Sequence, residues 1–138
     1  MTRTEFIDQL ARVRDDFDWI LKPCPNGTGG VRHHIRAVPK TAPRLVLDPL
    51  GALCFVRHHT PVRPSEWARA GEMLGLAAPG EIAAVANDQT WAGTGPRREP
   101  IEYLQKLRQR IENAVGLRAD SGASGASPTL NPAPRDTP

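Results

Sequence analysis

Every histidine of the chain lies in one of two identical tetrapeptides, Val31-Arg32-His33-His34 and Val56-Arg57-His58-His59, and the two cysteines, Cys24 and Cys54, fall nearby in sequence. Thiolate and imidazole are the ligands zinc prefers, so Cys24, His33 or His34, Cys54 and His58 form a candidate Cys2His2 set. Cys54 and His58 are four positions apart, a spacing that puts both on one face if the segment is helical. Against zinc, Cys24 stands alone, without the second cysteine of a Cys-x2-Cys knuckle, and small domains also use cysteine as core filler.

The repeated tetrapeptide does not mark a duplicated module. Upstream of the two copies, residues 26–30 and 51–55 share nothing across the 25-residue offset. The first copy also reads as strand and the second as helix end, where adjacent side chains diverge by about 180° and about 100°. The two copies therefore present different constellations.

What the histidine-bearing segment shares is charge. Residues 31–64 carry Arg32, Arg36, Lys40, Arg44, Arg57 and Arg63 against Asp48 alone, a local net of +5 in a chain whose net is +3. Clustered positive charge raises the local potential and attracts phosphate or acidic protein surfaces. Arg32, Arg36, Lys40, Arg57 and Arg63 are accordingly the candidate contacts for an acidic protein or a nucleic acid, set against the simpler reading of a solvated basic face.

Catalytic chemistry is harder to assemble. Asp48, His58, Ser65 and Glu66 are suitable types for acid-base or nucleophilic work, but no nucleophile elbow or paired-carboxylate motif places them together. Gly27-Thr28-Gly29-Gly30 lacks the Lys-Ser/Thr ending of a phosphate loop, and a long turn explains its glycines. The expectation is a non-catalytic protein without a cofactor, zinc being the exception to test.

The elements that would position these residues follow from periodicity and capping. Phe6, Leu10, Val13 and Phe17 recur at helical spacing, Thr2 and Glu5 have the spacing of a capping box, and the acidic Asp15-Asp16 ends a first helix near residue 16. Residues 19–22 and 31–38 read as strands joined through the proline- and glycine-rich segment 23–30, a small antiparallel hairpin, with 45–47 a short third strand. Asp48-Pro49 starts a second helix, which Thr60-Pro61 ends, and Ser65 starts a third that Gly75 terminates with Leu76 behind it. A fourth covers residues 79–87, and a fifth runs from Pro100 through Ile101, Leu104, Leu107, Ile111 and Val115 to Gly116.

These elements give one α+β domain over 1–117, mostly α, with about five short helices and a small hairpin. The Ser-, Gly- and Pro-rich 118–138 cannot bury enough apolar surface to order, so it reads as a disordered tail. No stretch reaches membrane-spanning length and no apolar run follows a basic start, which predicts a cytoplasmic protein with free thiols. Residues 67–88 also allow a helix-turn-helix, although the would-be recognition helix offers Glu81, Asn87 and Asp88 and no Lys or Arg.

The order of cues, a Trp19-bearing strand, Gly30-Val31-Arg32, Pro49-Leu50-x-Ala52-Leu53-Cys54, Trp67-x-x-Ala70-Gly71-x-x-Leu74-Gly75-Leu76, Glu81-Ile82-x-x-Val85-Ala86-Asn87-Asp88 and a last helix ending Gly116-Leu117, resembles small phage or prophage-type proteins. The resemblance is one of pattern, spans about two-thirds of the chain and implies no activity and no site residues. Pro23-Cys24 and the spacer from Pro39 to Pro43 depart from it. It implies an accessory or binding protein of a mobile element.

Overall fold

In the computed structural model, which describes residues 1–25, 27, 29–89 and 101–117, the chain runs α1 (Arg3–Val13), β1 (Phe17–Pro25), β2 (Val31–Pro39), α2 (Pro49–His58), α3 (Trp67–Leu74), α4 (Pro79–Ala86) and α5 (Ile101–Ala114). This is the expected α+β, mostly α architecture with a two-stranded antiparallel hairpin. The expected tail, 118–138, lies outside the described residues.

Helix α1 starts where the capping box places it. The Glu5 amide donates to Thr2 Oγ1 at 3.1 Å, and the Thr2 amide donates to Glu5 Oε1 at 2.7 Å, satisfying two otherwise orphan donors. Its α-helical part stops at Val13 and a 3-10 turn carries the chain to Asp16. Phe17, which shares the helical period of Phe6 and Leu10, opens β1 instead. The reason is local: the Trp19 indole donates to the Arg14 carbonyl at 3.0 Å, and the Phe17 amide takes the same carbonyl, so the chain turns out of the helix there.

Strands β1 and β2 pair from Phe17↔Pro39 to Pro25↔Val31, longer at both ends than their apolar runs suggest. The prolines explain how. Ala37 exchanges both backbone bonds with Leu47 on the side away from β1, at 2.7 and 2.9 Å, and the carbonyls of Ile35 and His33 are taken by Arg36 and Arg108. Residues 33, 35, 37 and, by alternation, 39 therefore turn their backbone groups outward, as do their β1 partners 23, 21, 19 and 17. Pro23, Pro25 and Pro39 all share that parity and remove no ladder donor. The expected third strand at 45–47 reduces to the single bridge between Leu47 and Ala37.

Asp48 caps α2 through Oδ1, which accepts from the Gly51 amide at 2.7 Å, and Pro49 sits at the first helical position. Helix α3 ends at Gly75 with φ of +69°, and Leu76 folds back so that its amide reaches the Gly71 carbonyl at 3.0 Å. One core joins α4, which is buried throughout from Gly80 to Ala86, with Phe6 and Leu10 of α1, Leu50 and Leu53 of α2, Leu74 of α3, and Leu107 and Ile111 of α5. A smaller cluster, Phe17, Ala37, Leu47 and Ala52, seats the base of the hairpin on α2.

Candidate functional site

Strand alternation puts Lys22 and Cys24 of β1 on one face of the hairpin with Arg32, His34 and Arg36 of β2, because Lys22 pairs with His34 and Cys24 with Arg32. This cationic face is assembled by register alone. Lys22 is exposed, Arg32 and His34 are half-buried, and Arg36 is buried.

Arg36, at the buried base end of that face, and Arg108 of α5 are spent on the fold. Arg36 donates to Asn87 Oδ1 at 2.8 Å and to the Ile35 carbonyl at 2.9 Å, and one of its terminal nitrogens lies 3.1 Å from His34 Nδ1. Arg108 donates to the Val85 carbonyl at 2.6 Å, to the His33 carbonyl at 2.7 Å and to Glu112 Oε2 at 2.9 Å. Both guanidinium groups thus meet the C-terminal end of α4, where the helix dipole is negative, and tie it to β2. His34 sits among these cations. Burial first, then Arg36, Arg108 and Arg32, lower its pKa below the ordinary 6.5, with Asp88 opposing them. The imidazole is therefore neutral at pH 7 and its Nδ1 is an acceptor for Arg36.

The five basic residues picked from sequence do not form one surface. Arg32 lies on the hairpin face, whereas buried Arg36 is a structural tie. Lys40 lines two adjoining cavities of about 430 and 320 Å³ in which Asp15 and Phe17 recur and which Asp18, in the larger, and Asp16, in the smaller, also line. Arg57, on α2, has Nη1 3.4 Å from Gln9 Oε1 of α1, and Arg63 leads into the 3-10 turn before α3, its amide donating to Glu66 Oε1 at 3.3 Å. Lys22, outside the basic segment in sequence, is the cation that the strand pairing adds.

The candidate zinc ligands are likewise dispersed. Cys54 is fully buried, its thiol donating to the Ala70 carbonyl at 3.5 Å, and burial followed by Asp48 pushes its pKa up to about 11. His58, four residues on, is exposed at the end of α2, so the two do not face a common point. Cys24 and His33 occupy opposite faces of the hairpin, since Cys24 pairs with Arg32. Among the described residues no group of three or more His, Cys, Asp or Glu side chains is placed to hold a metal ion.

Asp48 and His58 mark the two ends of α2, a ten-residue helix about 15 Å long, so an acid-base pair between them is not formed. Nor does α4 suit a recognition helix, because its residues from Gly80 to Ala86 are buried and leave no face for a groove. Among the described residues no helix is long and apolar enough to cross a membrane. No family model, curated protein or solved structure matches the chain.

Proposed function

We propose that the protein is a non-catalytic binding module whose hairpin lays its cationic face against the phosphate backbone of a nucleic acid. The observation that carries the reading is Lys22 beside His34 and Arg32 on one face of a two-stranded ribbon, with buried Arg36 fixed at the base of that face. A ribbon of this kind enters a major groove about 12 Å wide, and the fixed Arg36 guanidinium at its base adds to its potential. The pattern resemblance supports a role as an accessory protein of a mobile element.

The test is salt-dependent binding to a labelled DNA or RNA duplex, followed by fluorescence anisotropy. Lys22→Ala with Arg32→Ala, both at accessible positions, should weaken binding and lower the slope of log K against log salt by about 2. Arg36 is unsuitable for this purpose because its loss strikes the fold. No binding at roughly 20–50 mM salt, a range in which phosphate contacts are strong, sinks the proposal. Binding of a polyglutamate peptide and not of duplex moves the face to acidic proteins.

A further inference from the structure

The outer edge of β1 is open. Trp19 and Leu21 have the parity that turns their amides and carbonyls away from β2, and among the described residues none hydrogen-bonds to them there. β2 is treated differently: its outward carbonyls at 33, 35 and 37 are taken by Arg108, Arg36 and Leu47. An unpaired edge is a template for another strand unless charge, proline or a covering element blunts it. Pro23 and Pro25 blunt the tip half of β1, while the base half offers Ile20 at 42% and Leu21 at 37% exposure.

We propose that this edge pairs with β1 of a second copy of the chain, antiparallel about Ile20, to give a four-stranded sheet in a two-fold dimer. The spacing of charges selects that occupant. Asp18 and Lys22 are both exposed and stand two residues either side of Ile20 on one face. A two-fold axis at Ile20 sets Asp18 opposite Lys22 of the second copy, twice, flanking an Ile20–Ile20 contact. On the other face it sets Trp19 opposite Leu21. Trp19 and Leu21 then exchange about four backbone hydrogen bonds across the axis, and the ladder stops there because the Phe17 amide already serves Arg14 and Pro23 has none to give. Parallel pairing, or an antiparallel axis at Leu21, loses the charge match, and an axis at Trp19 would call on the Phe17 amide, which already serves Arg14, and on Asp16, which lies in the 3-10 turn before the strand. The arrangement does not depend on nucleic-acid binding, and on the shared sheet each Lys22 is met by Asp18 of the second copy.

Sedimentation velocity on the full chain from about 5 µM to about 1 mM tests it, with a dissociation constant of roughly 10–500 µM expected of so small an interface. Lys22→Asp sets like charges opposite each other twice and should raise that constant about tenfold, and Asp18→Lys combined with Lys22→Asp should restore it. Leu21→Pro removes an outward amide at a position of the same parity as Pro23 and should leave a folded monomer by circular dichroism. If that variant fails to fold, the charge swap alone decides. A monomer throughout the concentration range overturns the proposal, and so does a dimer that the swap series leaves unchanged.

Discussion

Replacing Asp48 with asparagine should stabilise the protein at neutral pH and not in acid, which reverses the usual expectation for altering a helix cap. Asp48 is 1% exposed, its Oδ1 caps α2 through Gly51, and its Oδ2 has no hydrogen-bond partner among the described residues. Burial raises its pKa from the ordinary 3.8 to about 6, outweighing the Gly51 amide and the charge of Arg36. Between those two values the folded state holds a proton that the unfolded state has released, so this group's contribution to stability falls as pH rises through the window. At about 1.36 kcal/mol per pH unit, the interval from 3.8 to about 6 corresponds to roughly 3 kcal/mol carried as a penalty above pH 7. An asparagine side chain keeps an oxygen for the Gly51 amide and carries no charge. Urea unfolding of both proteins at intervals from about pH 4 to about pH 7.5 isolates the effect, because other titrating groups are common to both. His34, whose lowered pKa costs stability as pH falls below 6.5, cancels in the same way. The stability difference in favour of the Asp48→Asn variant should grow with pH by about 2–3 kcal/mol, or roughly 10 °C in Tm. A difference constant across that range refutes the buried-charge reasoning, while Asp48→Ala, which sheds the charge together with the cap, should cost about 1 kcal/mol at the acid end of the range only.

Three further outcomes follow from the packing. Arg108→Ala should cost about 2–4 kcal/mol in chemical denaturation, since it frees the Val85 and His33 carbonyls together, and Arg108→Lys should recover less than half, lacking the planar fork. Gly51→Ala places a methyl group into the Val62 carbonyl oxygen and near Asp48, so it should lower stability by about 1–3 kcal/mol in the same assay. With a thiol reagent at about pH 8, half-buried Cys24 should react in the folded protein while Cys54 reacts only at the rate of unfolding; two equally fast thiols would contradict the burial of Cys54.

Much of the fold was legible because its signals are local. The Thr2–Glu5 box, Asp48-Pro49 and the glycines at 75 and 116 each fix a helix end within a turn, and all four serve the ends the structure gives them. Phe17 misled because four-residue spacing continues a helical stripe even where the next backbone hydrogen bond is taken by a tryptophan indole. The site was less legible. Lys22 joins Arg32 through register, a long-range property, and Arg108 reaches the His33 carbonyl across 75 residues of sequence with no local signal. Arg36 misled in the other direction: a cation in a basic stretch reads as surface, yet Asn87 and the end of α4 hold it inside. Counting charges in a window sees proximity along the chain, whereas the hairpin and the α4 terminus sort those charges into contact, tie and bystander.

The parity of the prolines has a bearing on what the hairpin tip must do. In most short hairpins the turn sets the alignment of the strands, so its length and sequence are constrained. Here a slip by one residue reverses one strand, and would either drive Pro23 and Pro25 into positions that require an amide or do so to Pro39 while turning the arginine-held carbonyls the wrong way. The alignment is thus written into the strands, and the connection between Pro25 and Val31 is relieved of that duty. Foreign residues inserted there should leave the domain's melting temperature nearly unchanged, which makes the tip a natural point of variation for whatever the ribbon meets.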